Sequence, residues 1–453
     1  MDSEHEHEAD GFVTVEARAS PAVEGMSNNA AEMDMDVDVD VDMDVIGSDD
    51  IHTYNPANIL PQPPDVLHKI RKWLDPTPYD HEGGEYRRHL ASHAPGTGQW
   101  LTDTETYQKW HAPGGDHGLL WIKGIPGSGK SVFAAMLADA LAREGHPVLF
   151  FFFRQIIDAN HEPVQTLRDW LAQLLDHSPP LQRDLEALVL HSSRAVGNLG
   201  HDELWNLLKT GMAHLPRIYL VADALDEMRR GDDDWLRALA AVATWDPARV
   251  KVLITSRPVD RVEAPLRAFQ LLRIRLEERL VDTDIAKYVQ LRLASTDEGA
   301  AMQPQDRALI EEAVPGRANG LFLYAKLALD GFLTPGAHVR DVLAKMPADL
   351  NAMYTNLLAE HANTSGVSPD TQRLLLCWVT HASRPLRLLE MAEMLTTARC
   401  HTEADSTNPT DLKSARALVR AACGPLLQIH PDETVSVVHH SLTEFLLGVT
   451  RSI

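Results

Sequence analysis

Apolar and polar positions divide the chain into three regimes. From Gly118 to about Leu280, short apolar runs alternate with stretches of helical spacing. The runs Leu119–Lys123, Val148–Phe153, Ile218–Asp223, Val250–Thr255 and Leu271–Leu276 predict strands buried on both faces, as parallel sheets require. The segments Val132–Arg143, Val164–Leu175 and Asp234–Val242 repeat apolar residues at helical spacing. This alternation predicts an α/β fold, a parallel sheet with helices on both faces, over 118–280. After Val281 helical spacing dominates, which predicts a helical domain over 281–365. Asp370–Leu395 reads as two helices broken at Ser383–Pro385. A late strand, Thr434–His439, precedes the last helix, so 366–453 is read as a winged-helix-like module. Ahead of the sheet, residues 59–117 form a helical lead-in. There Val66, Leu67, Ile70, Trp73 and Leu74 share one helical face and Pro76 ends it.

Residues 1–58 follow neither period of a packed fold. "MDMDVDVDVDMDV" alternates acid and apolar residues, but an Asp at every second position opposes strand pairing, and a disordered acidic tail is expected. This tail changes the reading of charge. Ten Asp and six Glu against Arg18 put −15 of the −23 net charge in the first 50 residues, leaving −8 for the rest. No basic face is visible, so no nucleic-acid partner is expected. The cysteines Cys377, Cys400 and Cys423 have neither zinc nor redox spacing and are too few for a disulfide framework. The acidic N-terminus is unlike a targeting peptide, and no apolar run is long enough for a bilayer. These features point to the cytoplasm and to no membrane partner. Trp73, Trp100, Trp110 and Trp121 are read as core anchors.

The chemistry begins at "GIPGSGKS", Gly124 to Ser131. The spacing G-x-x-x-x-G-K-[ST], with a strand before and a helix after, describes a phosphate-binding loop (Walker A). Gly124, Gly127, Ser128 and Gly129 let backbone N–H groups close around phosphates, and the helix from Lys130, Ser131 and Val132 aims its N-terminus at the anion. Lys130 would neutralise the β and γ phosphates and the Ser131 hydroxyl would bind Mg2+. "RIYLVADALDE" delivers Asp223 at the end of a core strand as a second Mg2+ partner (Walker B), with Asp226 and Glu227 one turn on, where an attacking water would sit. "VKVLITSRP" ends another buried strand in Thr255, Ser256 and Arg257, a cation placed to reach the γ-phosphate.

Together "GLLWIKGIPGSGKSVFAA", "LVADALDEM" and "KVLITSRPVDRVE" resemble a NACHT domain, the NTPase module of STAND-class signalling proteins, of the type in fungal NLR-like proteins that often carry ankyrin repeats. The likeness spans roughly residues 60–450. It implies ATP/ADP and Mg2+ as cofactors, Glu227 as the base with Asp226 in support, and Arg257 as a sensor. It also implies that His439 touches the β-phosphate in a closed, ADP-bound state, with His440 as a neighbouring competitor. Many relatives place a proline against the adenine where this chain has Phe322 in "GLFL", Gly320–Leu323.

The expected function is a nucleotide-binding signalling switch with slow hydrolysis that controls conformation and self-assembly, with another protein supplying sensor or effector. A P-loop phosphotransferase would need a substrate lid rich in arginine near the phosphates and would leave 281–453 idle. A binding scaffold without turnover would not need the Asp226–Glu227 pair. A DNA-handling ATPase would need the missing basic patch.

Overall fold

The computed structural model describes residues 59–154, 158–191, 195–382, 384–400, 411–424, 426–430 and 432–450. The acidic tail expected at 1–58 lies outside them. The lead-in is helical, with α1 at Pro64–Leu74 and α2 at Glu85–Ala91. α1 buries Ile70 and Leu74 and stops where Asp75 turns left-handed (φ 50°), just before Pro76.

The NTP-loop region then alternates β1 (Leu119–Lys123), α3 (Lys130–Arg143), β2 (Val148–Phe152), α4 (Pro163–Leu174), β3 (Ile218–Asp223), β4 (Val250–Ser256) and β5 (Leu272–Arg275). The five strands are parallel in the order β2-β3-β4-β1-β5. Every residue of β1, β3 and β4 is buried because helices cover both faces. Alternation sorts the side chains into two cores. Leu120, Ile122, Tyr219, Val221 and Leu253 face one; Leu119, Trp121, Leu220, Val252 and Ile254 face the other. The sequence reading of this sheet matches to within one residue at each strand end.

The lead-in is built into both cores. Ile70 and Leu74 enter the second, while Tyr86, Leu101, Tyr107 and Trp110 enter the first. Trp110 is fully buried, and its indole N–H donates to the Gly118 carbonyl at 3.2 Å. Trp121 is fully buried as well; Trp100 and Trp73 are half-buried. β2 is an edge strand, and the Gln173 amide of α4 closes part of that edge. It accepts from Phe150 N and donates to Phe150 O, both at 2.9 Å.

Beyond the sheet come α5 (Glu278–Ser295), α6 (Phe322–Phe332) and further helices. The C-terminal part carries more strands than the sequence reading marked. It holds a three-stranded antiparallel sheet of β6 (Leu386–Arg387), β7 (Leu427–Ile429) and β8 (Thr434–Val437), in the order β6-β8-β7. Only β8 was expected, and it ends at Val437 rather than His439 because the chain bends there to start α7 (His440–Thr450). β6 and β7 are two and three residues long, too short for any periodicity to mark them. Among the described residues no helix is long and apolar enough to cross a membrane.

If the lead-in is integral to the fold, Trp110→Ala should destabilise the whole unit by about 3–5 kcal/mol. Urea unfolding followed by fluorescence and circular dichroism checks this. A loss below about 1 kcal/mol, or a separate early transition, would contradict it.

Candidate nucleotide-binding site

The site is assembled at the C-terminal ends of β1, β4 and β3, in that spatial order. β4 lies between the strand that leads into the glycine loop and the strand that delivers the acids. The loop folds on itself: Ser128 N and Oγ both donate to Ile125 O, at 3.3 and 2.8 Å. Gly124 N donates to Ser256 O at 3.3 Å, fastening the loop to β4. Gly129 has φ 90°, and a Cβ there would sit 3.2 Å from the Phe322 ring, so conformation and space both call for glycine. α3 starts at once with Lys130 and directs the unpaired N–H groups of its first turn toward the loop. Lys130 Nζ donates to Ile125 O at 2.9 Å, arching over the loop. Burial lowers its pKa, opposed by Asp226 and Asp223.

Asp223 is almost fully buried at the end of β3. Burial raises its pKa, opposed by the charge on His89 and by hydrogen bonds from Ser131 and Thr255. The Thr255 hydroxyl donates to Asp223 at 2.6 Å and accepts from Ala224 N at 3.0 Å. Ala224 is left-handed (φ 56°, ψ 48°), unusual for a residue with a Cβ, and it folds the turn Leu225–Glu227 back toward β4. That turn brings Asp226 to Arg257. Asp226 accepts from Arg257 N at 3.0 Å and from Arg257 Nε at 2.6 Å. Arg257 also donates through Nη1 to Glu444 of α7 at 2.6 Å. Burial opposes its charge, but Glu444 and Asp226 more than offset that and raise its pKa. Glu227 is half-buried in the same turn, its charge felt at Lys130.

The C-terminal module reaches this site through the start of α7. His439 Nδ1 accepts from Ser441 N at 3.1 Å and lies 2.7 Å from Ser441 Oγ. A backbone donor on Nδ1 leaves the imidazole proton on Nε2. Its pKa is lowered to about 3, first by burial, then by the charges of Lys130, His440, Arg154 and Arg257. His439 is therefore a neutral donor at pH 7 within the field of the loop lysine. His440 lies at the same start of α7, with Nε2 3.7 Å from the Glu444 oxygen that Arg257 also engages. A second tie lies at the end of β2. Glu85 of α2 receives Arg88 at 2.8 Å and Arg154 at 2.5 Å, and Arg154 Nη2 donates to Val437 O at 3.4 Å. Burial alone would raise the Glu85 pKa, but Arg154, His89 and Arg88 hold it well below the carboxylate range.

The segment "GLFL" packs against the loop itself. Leu323 N donates to Gly127 O at 3.3 Å, and Phe322 meets Phe133 and Tyr288 edge-on. Three contributors escaped the sequence reading. Asp284, fully buried in α5, accepts from Gly98 N and Trp100 Nε1, both at 2.8 Å, and fixes the lead-in beside α3. Arg154 and Glu444 carry no motif; a charged residue before a loop and one on a helix face look like ordinary solvated positions.

Family models match two parts of the chain: the N-terminal region of nephrocystin 3 over residues 96–257, and the winged-helix domain of GPI inositol-deacylase over residues 361–452. The vegetative incompatibility protein HET-E-1 of Podospora anserina is 28% identical over 373 residues, covering 77% of this chain. With the parallel sheet and the glycine loop, these matches support a NACHT-like P-loop NTPase. The chain spans 26% of the length of HET-E-1. Solved structures similar to this NTPase include a Walker-type ATPase of Pyrococcus abyssi (13% identity, TM-score 0.36, covering 73% of this chain and 91% of that one). Cdc6p of Pyrobaculum aerophilum is also similar (13% identity, TM-score 0.31, covering 88% and 97%). Likeness this distant adds nothing to the strand order itself.

Burial of His439, which lowers its pKa, should make the fold acid-sensitive. The unfolded chain binds a proton near pH 6.5, whereas the folded chain resists it down to about 3. Stability is thus retained above about pH 6.5 and falls as pH drops through that window. His439→Gln should flatten this part of the profile, read as urea midpoints from pH 7.5 to 5; parallel profiles for variant and wild type would contradict the assignment.

Proposed function

We propose that this NTPase is a signalling switch that binds ATP and ADP and uses slow hydrolysis to reset its conformation. The observation that carries the reading is the placement of His439, a neutral donor from the C-terminal module set in the field of Lys130. A module set in the field of the loop lysine and bonded to Arg257 can respond to what the loop holds. An ordinary phosphotransferase gains nothing from such a placement.

In this reading the loop from Gly124 to Ser131 and the N–H of Val132 cradle the phosphates, with Lys130 on the β and γ groups. Ser131 and Asp223 would hold Mg2+. Their chemistry fits a hard cation that keeps waters and shares phosphate oxygens, since Ser131 already lies within hydrogen-bond reach of the buried Asp223 carboxylate. Such an ion supplies charge neutralisation on the phosphates. Glu227 accepts a proton from water as its oxygen bonds the γ-phosphorus and the bond to the β-phosphate oxygen breaks, releasing ADP. Asp226 positions Arg257 rather than activating water, because Arg257 engages both its oxygens. His439 donates to the β-phosphate when the module is closed. ATP favours an open form that self-associates in the cytoplasm, and a further protein supplies sensor or effector.

The test is nucleotide content and mass of the purified protein with ADP and with a non-hydrolysable ATP analogue. Wild type should retain nucleotide through purification and grow in mass with the ATP analogue. Lys130→Ala should empty the site, lowering affinity at least 100-fold, and Glu227→Gln should accumulate ATP and the larger species. Rapid turnover that depends on a second small substrate, with no change in mass, would sink the switch in favour of a phosphotransferase.

A further inference from the structure

We propose that Glu444 is the residue that makes this site discriminate ADP from ATP: it occupies the end of Arg257 that a γ-phosphate would need. The proposal rests on the switch reading above. Arg257 is held between two carboxylates of different character. Asp226 is buried, lies on the turn that follows β3, and engages the Nε edge and the backbone N–H of Arg257. Glu444 stands 187 residues further along the chain, on α7, with its side chain 44% exposed. It engages Arg257 through Nη1 alone. The Asp226 contact therefore fixes the stem of the guanidinium, and Glu444 occupies its tip.

A guanidinium tip offers a planar fork that suits carboxylate or phosphate oxygens. The γ-phosphate of ATP brings about two negative charges to that fork, against one on Glu444. The half-exposed Glu444 pair is individually weak, because water competes for both partners. ATP therefore takes the tip of Arg257 and releases Glu444. ADP has no group to compete with, and the pair persists. A buried, bidentate partner in the place of Glu444 could not be displaced, and a residue without charge would not report the exchange. The position of Glu444 amplifies the event. It lies one helical turn from His440, its other neighbour at 3.7 Å, and on the helix whose Ser441 fixes His439 and bonds the Tyr354 hydroxyl at 2.7 Å. Releasing Glu444 thus loosens the turn that sets His439. By linkage, whatever factor ATP costs the Arg257–Glu444 contact, that contact costs ATP binding.

The test compares dissociation constants of a fluorescent ATP analogue and a fluorescent ADP analogue, with Mg2+, for the full chain. Glu444→Gln keeps size and shape but loses charge; it should raise the ATP-to-ADP affinity ratio about fivefold, the weight of one exposed ion pair. Glu444→Asp should fall between. In an Arg257→Ala background the Glu444→Gln substitution should leave the ratio unchanged, since no tip remains to release. Amide exchange over α7 should rise with the ATP analogue in wild type and be high with either nucleotide in Glu444→Gln. An unchanged ratio in Glu444→Gln, or the same gain with Arg257 absent, overturns the proposal while the switch reading stands. Failure of wild type to bind either nucleotide overturns the switch reading and this proposal with it.

Discussion

A carboxylate taken out of water must be hydrogen-bonded or lose its charge, and Asp223 meets that requirement through Thr255. The Thr255 hydroxyl of β4 donates to it, and Ser131 at the start of α3 lies near enough to favour its charged form. The Thr255 bond ties β3 to β4, beside the helix that closes the glycine loop. Thr255 also takes the N–H of Ala224, whose left-handed backbone turns the chain toward Arg257. One buried acid thereby aligns the ends of β3 and β4 and the turn between Asp223 and Arg257, and Asp226 and Arg257 meet there. The inserted position of β4 is what makes this possible, because a strand lying between two others can serve both of their ends.

The second organising feature is the reach of one apolar core. The cluster on the α3 face of the sheet continues through Val281 and Ile285 of α5 and Tyr324 of α6 to Leu388, Val435 and Leu442 of the C-terminal module. Close-packed interiors rearrange between discrete packings rather than deforming smoothly. Phe322 and Leu323 rest directly on Gly129 and Gly127. The loop thus rests on apolar contacts that belong to the same core as the C-terminal module, with the polar ties at Arg154 and Arg257 at its periphery.

The sheet and the glycine loop were legible because both are local. Buried strands such as Ile218–Asp223 announce themselves as apolar runs, and the loop's geometry is dictated by glycines at fixed spacing. What escaped was non-local or too short. β6 and β7 carry five residues between them and exist only because β8 pairs with each. Glu444 in "SLTEFLL" has the spacing of an ordinary solvated helix position, and only the fold brings Arg257 to it. The lead-in was readable as helix and Trp110 as a core anchor, but its periodicity cannot say against what Trp110 packs.

The Gln173 clasp on β2 bears on how copies of this chain could join. Open sheet edges invite another chain to add a strand, the route by which many proteins polymerise. Here one edge has its Phe150 amide and carbonyl already taken by a side chain. The other edge, β5, sets Arg273 and Arg275 two residues apart on its exposed face, an alignment that repels a like strand. Assembly by strand addition is thus discouraged at both borders of the sheet. Any joining of copies would therefore fall to helices and loops.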